Sequence, residues 1–221
     1  MGNPQHLEWL LEGVEAWNAR RKKAPFIPDL SGFNLREALE TYNPTDTPHD
    51  GPLLNGIDLS EANLSGADAS LLQLNNCNLA RADCTNASFA FSWMSGAVCL
   101  QTNLQGARLI WTRLERADLR TAVLRNADLS NAFLNDARLN GALLDGAYFR
   151  AAFLSGADVT TIIENASGGH IRITDLSRAK WLTQSATDSL NGDQATLLPA
   201  RLKRPRRWPE LKLEQIGRAS C

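Results

Sequence analysis

The sequence predicts an all-β solenoid of square cross-section, in which the chain turns by a fixed angle every five residues. Two columns of residues lead to this fold class. An apolar residue recurs every five positions from Leu59 to Val159, at 21 consecutive places in one frame. A second column lies two residues earlier, from Ile57 to Ala157, and fifteen of its 21 members are alanine. The repeating unit is therefore Ala-(Asp/Asn)-Leu-Xaa-Xaa.

A period of five fits neither an α-helix nor a β-strand. Five residues advance a helix by about 500°, which would spread the leucine column around it, and a strand would alternate the leucines between its faces. Both columns are buried only if the chain turns at each pentad, so that four pentads make one coil with four faces. About five coils, stacked at ~4.8 Å through backbone hydrogen bonds, give a rod of roughly 25 Å.

The Ala-(Asp/Asn)-Leu-Xaa-Xaa unit resembles that of the pentapeptide-repeat proteins. This resemblance implies a right-handed quadrilateral β-helix. It covers residues 57–161 without a break, and residues 29–35 and 174–179 add two pentads before and one after. The match specifies the fold and leaves the function open, because one fold serves many functions.

The ends of the repeat divide the chain into three parts. Residues 1–27 are predicted to form an N-terminal cap, with an amphipathic helix over 5–20 that covers the first coil or, alternatively, docks a partner. Residues 28–180 form the β-helix, and residues 39–53, rich in turn residues, make an excursion from its first coil. Residues 181–221 form a C-terminal cap, with a short helix over 185–190, and a basic tail.

The sequence shows no catalytic, cofactor-binding or metal-ligating constellation, which predicts that the protein is not an enzyme. Its three histidines lack metal-ligand spacing with one another or with a cysteine. Cys77, Cys84 and Cys99 fall in the inward columns and are expected to be buried thiols with raised pKa and little reactivity. Cys221 is expected to be exposed. No small-molecule substrate is predicted.

The charge and hydropathy of the chain predict a cytoplasmic protein that does not span a membrane. The formal net charge is −1, and the sequence contains no run of 18 apolar residues and no secretory signal at its start. The tail is different, because it concentrates positive charge at Arg201, Lys203, Arg204, Arg206 and Arg207. This run either binds nucleic acid or an anionic membrane, or it is solvated or folds back on the body.

Residues 20 apart should lie above one another, and this register gathers aromatic residues on one side. The fourth face carries a column that contains Trp93 and Phe133, and the corner leading into it carries Leu71, Phe91 and Trp111. The predicted interaction surface consists of Phe91, Trp93, Trp111, Arg113, Phe133, Tyr148 and Phe153. Aromatic residues and arginine are enriched at binding hot spots. Alternatively, the excursion or the C-terminal segment covers this side.

The favoured function is a protein-interaction scaffold that contacts a partner, or another copy of itself, through the aromatic side. The resemblance suggests an alternative, since some members of the family mimic DNA toward DNA gyrase. That role needs a strongly negative surface, whereas residues 57–161 contain ten acidic and eight basic groups. Binding of nucleic acid or anionic membrane through the basic tail is a further alternative.

Overall fold

The structure is a computed structural model of the 221-residue chain. It describes residues 1–42, 53–160, 162–164, 170–172, 176, 179, 182–190 and 196–208. Its helices and strands are α1 (Pro4–Leu11), α2 (Val14–Lys23), α3 (Leu35–Tyr42), β1 (Ile162–Glu164), β2 (His170–Arg172) and α4 (Gln184–Ser189). Strands β1 and β2 pair as an antiparallel hairpin.

Between residues 53 and 158 the chain forms the predicted square solenoid. One residue of each pentad makes a parallel bridge with the residue 20 positions later, for example Asp58 with Asn78. Two backbone hydrogen bonds hold each step of this ladder. Leu59 N donates to Asn78 O at 2.8 Å, and Asn78 N donates to Ile57 O at 2.9 Å. A coil therefore contains four pentads, and the predicted register is confirmed.

Both predicted inward columns form the core of the solenoid. All 21 residues from Leu59 to Val159 are buried, and the small column is buried except at Ala152, which is half-buried. Three members of the small column are polar: Ser92, Thr102 and Thr112. Each hydroxyl donates to the backbone carbonyl 23 residues earlier at 2.7–2.8 Å, so burying it leaves no unsatisfied group.

Each pentad ends in a turn that needs a left-handed backbone. From residue 56 to residue 156, every fifth residue has a φ between 54° and 72°, and fourteen of these 21 residues are not glycine. A hydrogen bond such as that from Ala62 N to Leu59 O at 3.1 Å closes 20 of these 21 turns. This geometry is a type II turn, which requires a positive φ at its third residue.

The first coil is interrupted by α3, which begins earlier than the predicted excursion over 39–53. The chain leaves the coil at Leu35 and returns to the ladder at Leu53. Asn34 fixes this departure, because its Oδ1 accepts from Glu37 N at 3.0 Å and its Nδ2 donates to Glu37 Oε2 at 2.9 Å. The Asn34 side chain thus caps the first turn of α3, and its contact with the Glu37 carboxylate holds it in place.

The N-terminal segment folds as two helices where the sequence predicted one over 5–20. The break lies at Gly13, whose φ of +98° is outside the helical region. Helix α2 lies against the open edge of the first coil. Trp17 Nε1 donates to Asp58 O at 2.7 Å, and the Asn18 side chain accepts from Asp58 N at 2.8 Å and donates to Gly56 O at 3.0 Å. The Asn18 amide thus replaces a missing peptide group at this edge.

The last coil is contacted by the C-terminal segment. Thr196 Oγ1 donates to Val159 O at 2.8 Å, which satisfies a carbonyl of the final pentad. Helix α4 overlaps the predicted helix over 185–190 and is capped by Thr183, whose side chain accepts from Ala186 N. The longest helix in the described part of the chain has 10 residues, too few for the ~20 that cross a bilayer.

Some sequence predictions concern residues outside the described ranges. These are the proline-containing part of the excursion at 43–52, the loss of register at 165–169, and the end of the tail at 209–221, including Cys221.

The three inward-facing thiols have the raised pKa values that the sequence predicted. Burial is the main cause for Cys77, Cys84 and Cys99, and it raises the pKa of Cys99 from 9.0 to about 12, with the Asp118 carboxylate adding to the shift. The thiolate is the reactive form of cysteine. In a Cys221→Ser variant at pH 8, we therefore expect no thiol to react with a disulfide reagent until urea unfolds the protein.

The raised pKa of Cys99 makes the free energy of unfolding decrease at alkaline pH. The unfolded Cys99 loses its proton near pH 9.0, while the folded thiol keeps it to about 12. The folded state then binds more protons, so this contribution to the free energy of unfolding is lost as the pH rises from 9.0 toward 12. A Cys99→Ala variant should lose less stability over that window. Rapid thiol reaction in the native state would contradict this account.

Candidate interaction surface

One corner of the solenoid and the face that follows it carry a continuous set of apolar and aromatic side chains, here called the aromatic strip. The ladder on this face pairs Trp93 with Arg113, Arg113 with Phe133, and Phe133 with Phe153. The strip consists of Leu71, Phe91 and Trp111 on the corner and Trp93, Arg113, Phe133 and Phe153 on the face. From Leu71 to Phe153 it crosses about four coil spacings, roughly 19 Å.

Ring contacts join the corner and the face into one surface. The Phe133 and Phe153 rings stack in parallel, with centroids 4.8 Å apart and planes at 5°. The Trp111 ring lies 6.1 Å from that of Phe133. The Arg113 guanidinium carbon lies 4.9 Å from the centroid of the Trp93 ring, a cation–π contact.

The aromatic strip is exposed to solvent. Phe91 is 51% exposed, Trp111 43% and Phe153 48%, while Trp93 and Phe133 are half-buried. Ten large hydrophobic side chains are exposed among the described residues. Five of these ten lie on the side of the rod that carries the strip: Phe91, Trp111, Phe153, Leu71 and the neighbouring Leu53. The described parts of the excursion and of the C-terminal segment leave these side chains open.

The corner of the strip also has an unusual backbone. Leu71, Phe91 and Trp111 have φ values of 63°, 62° and 58°. A left-handed conformation costs a residue with a Cβ roughly 1–2 kcal/mol, and bulky residues rarely adopt it. The other left-handed positions of the described solenoid hold glycine, polar or charged residues, or alanine. The three bulky apolar exceptions share one corner.

Tyr148 is the one member of the predicted surface that lies outside the strip. It sits on the adjoining third face, where it pairs with Asp128 and is half-buried. The other six predicted residues are on the strip. Leu71, which the sequence placed on this corner but not in the predicted interaction surface, completes the strip.

A polar groove of about 570 Å³ borders the strip beside Trp93 and Arg113. Asn75, Asn76, Ser95, Gly96 and Arg116 form the rest of its lining. Ser95 Oγ donates to Glu115 Oε2 at 2.7 Å, so this carboxylate is already engaged by the rod. The sequence analysis did not identify the groove, because its lining comes from three columns of residues in successive coils.

The basic residues of 201–208 lie beside α4, and three of them contact backbone carbonyls. Arg201 donates to Leu182 O at 3.0 Å, and Arg204 donates to Thr196 O at 3.0 Å. Arg207 donates to Asp188 O and Leu190 O, each at 2.6 Å. The two Arg207 bonds satisfy carbonyls at the C-terminal end of α4, where positive charge is favourable. Lys203 and Arg206 are exposed.

Trp208 fixes the end of this basic segment. Its ring is buried, and its Nε1 donates to Leu190 O at 3.0 Å. Lys203 adds a backbone contact, since its N donates to Gln184 Oε1 at 2.7 Å. The segment 201–208 is therefore packed on the C-terminal part of the described structure. Within the described ranges, no group of His, Cys, Asp and Glu side chains is arranged to hold a metal ion.

Comparisons with known proteins agree with this architecture. The family model described as pentapeptide repeats (8 copies) matches residues 51–81, 82–120 and 122–160. A search of curated proteins gives no match. Among solved structures, the chain is similar to HetL, a pentapeptide repeat protein involved in heterocyst differentiation regulation in the cyanobacterium Nostoc sp. strain PCC 7120. Their identity is 28%, 72% of each chain is covered, and the TM-score is 0.30.

Two further solved structures show the range of the similarity. A pentapeptide repeat protein of the Arabidopsis thaliana thylakoid lumen is 30% identical over 44% of this chain and 65% of its own, with a TM-score of 0.23. QnrB1, a plasmid-mediated fluoroquinolone resistance protein, is 18% identical over 74% of this chain and 79% of its own, with a TM-score of 0.32. The family match and the uninterrupted ladder of five-residue units show that this chain belongs to the pentapeptide-repeat proteins.

Proposed function

We propose that this protein is a non-enzymatic interaction scaffold whose rigid rod presents the aromatic strip to a protein partner. The observation that carries the proposal is the corner of Leu71, Phe91 and Trp111, which combines exposure with a left-handed backbone. Strained backbone concentrates at functional sites, and contiguous exposed apolar surface marks interfaces. Pentapeptide-repeat proteins are generally structural or interaction modules, which supports the same function.

Within this proposal, the segments outside the repeat close the ends of the rod. Residues 1–27 are the N-terminal cap, supported by the bonds of Trp17 and Asn18 to the first coil. The β-helix extends over 28–180, and the C-terminal cap over 181–221 is supported by the bond from Thr196 to Val159. A docking role for the N-terminal helices is disfavoured, because Leu10 and Trp17 are buried. A cytoplasmic location stays a prediction from the sequence.

Neither alternative function gains a specific observation. Mimicry of DNA needs a negative surface, whereas Arg113 on the strip and Arg116 in the groove beside it are both exposed. Binding of nucleic acid or anionic membrane through the tail is limited, since Arg201, Arg204 and Arg207 already donate to carbonyls. A Lys203→Gln/Arg206→Gln variant tests the remaining cations without disturbing these bonds.

The test of the scaffold function uses a Phe91→Asn/Trp111→Asn variant. Asparagine tolerates a positive φ, and Asn131 already occupies the same corner one coil later at φ 58°, so the variant should remain folded. We expect affinity capture from native lysate, followed by mass spectrometry, to recover a protein with the intact bait and not with the variant. Sedimentation of both forms detects self-association.

The matched control is Val98→Asn, which changes an exposed apolar residue on the first face. It should capture the same protein as the intact bait. Equal capture by all three forms, with circular dichroism showing that each is folded, would exclude the aromatic strip as the contact surface.

A further inference from the structure

We propose that the aromatic strip binds an extended peptide segment of the partner, in which a carboxylate lies beside apolar side chains. The proposal rests on the scaffold function and specifies the chemistry of its ligand. The apolar side chains would cover the exposed rings, and the carboxylate would enter the groove next to Arg113 and Arg116.

The first argument is unpaired positive charge. Arg113 and Arg116 are exposed and line the groove, and neither has an ion-pair partner among the described residues. Elsewhere among the described residues of the rod, Arg81, Arg120 and Arg138 have carboxylate partners. Arg81 contacts Glu61 at 3.2 Å, and Arg120 contacts Asp118 at 2.6 Å. Arg108, Arg125 and Arg150 have no such partner in this part of the chain, so Arg113 and Arg116 differ from them in lining one groove together. Two unpaired guanidinium groups at one groove favour a carboxylate ligand, which arginine recognises through paired hydrogen bonds.

The second argument is that Arg113 is held in place before any ligand arrives. Its guanidinium lies over the Trp93 ring, with 4.9 Å between the guanidinium carbon and the ring centroid. Such a contact orients the planar group while leaving its N–H edges open to an acceptor. Asn75, Asn76 and Ser95 add polar groups to the groove wall. The volume of about 570 Å³ is within the range of ligand-binding sites.

The third argument is the size of the surface, which suits a peptide better than a second copy of this chain. An aromatic side chain has about 150–250 Å² of surface, so three half-exposed rings offer roughly 300 Å². A stable interface between folded proteins needs about 800 Å² from each partner. The three exposed rings supply less than half of that area. Its length of roughly 19 Å corresponds to about six residues of extended chain at ~3.3 Å each.

The test begins with selection from a displayed library of random 12-residue peptides on the immobilised full-length protein. We expect enrichment of sequences with Asp or Glu within a few positions of aromatic or aliphatic residues. The affinity of a synthetic consensus peptide is then measured by calorimetry. An Arg113→Gln/Arg116→Gln variant should bind at least tenfold more weakly, and so should a peptide with its acidic residue changed to the amide.

The matched control is Arg125→Gln, because Arg125 is exposed on a different corner. It should leave the affinity within twofold. Enriched peptides without acidic residues, or equal binding by all protein variants, would overturn the inference. A selection that enriches no peptide would overturn it too. If the intact protein is then found to be a dimer that the Phe91→Asn/Trp111→Asn variant cannot form, the strip binds a second copy of this chain. If a captured partner binds the Arg113→Gln/Arg116→Gln variant as well as the intact protein, the scaffold function is supported and the inference of an acidic peptide ligand is wrong.

Discussion

Replacing Trp17 with alanine is expected to lower the free energy of unfolding by about 3–5 kcal/mol, the range for removing a large buried aromatic side chain. The Trp17 ring is fully buried, and its Nε1 donates to Asp58 O at 2.7 Å. The variant therefore creates a cavity under α2 and leaves a carbonyl of the first coil without its donor. Urea unfolding followed by circular dichroism measures the change.

Two comparisons separate the packing of Trp17 from its hydrogen bond. Trp17→Phe keeps most of the ring and loses the bond, so it should cost about 1 kcal/mol plus a small packing change. Trp9→Ala removes a half-buried tryptophan of the same helix pair and should cost less than Trp17→Ala. If Trp17→Ala and Trp9→Ala lowered stability equally, α2 would not hold the end of the rod through Trp17.

Replacing Trp208 with alanine is expected to have an effect of similar size at the opposite end, about 3–5 kcal/mol. The ring is buried although it follows four arginines and a lysine in the sequence, and its Nε1 donates to Leu190 O. Loss of the ring should release the segment 201–208 from α4. Urea unfolding gives the stability, and limited proteolysis should show earlier cleavage in this segment.

The control for Trp208→Ala is Arg206→Ala, in the same segment. Arg206 is exposed, and exposed substitutions usually change stability by less than about 0.5 kcal/mol. If the two variants had equal stability, the segment would be a solvated tail. The contrast also affects any test of nucleic-acid binding, because deleting 201–221 would remove Trp208 and Arg207 and so perturb the fold. Substituting Lys203 and Arg206 avoids that confusion.

The repeat itself could be predicted from sequence because its signal does not depend on distant parts of the chain. The same two positions of each pentad face inward, so the columns from Leu59 and Ile57 specify the coil. The helices outside the repeat were harder to predict. Leu35 fits both the pentad frame and the start of α3, and the pentad frame concealed the capping pair of Asn34 and Glu37. The spacing of the leucines predicted one continuous N-terminal helix, whereas the backbone at Gly13 divides it into α1 and α2.

The candidate site was predictable in position and less so in detail. Counting by 20 brought Trp93, Phe133 and Phe153 to one face, as in the structure. The contact of Arg113 with Trp93 and the groove beside it depend on side-chain conformations that a residue count does not contain. The role of Arg207 depends on how the chain docks on α4, and a run of positive charge gives no information about that.

The ladder of residues 20 apart has a consequence for how this protein tolerates changes in length. Removing one pentad between Trp93 and Phe133 would rotate every later coil by one face and place Phe133 and Phe153 on a different side from Trp93. Removing four pentads would shorten the rod by one coil and keep the remaining residues of the aromatic strip on one side. An insertion that leaves and returns at one corner, as α3 does between Asn34 and Leu53, disturbs neither. Surviving insertions and deletions should therefore come in whole coils or as loops at corners.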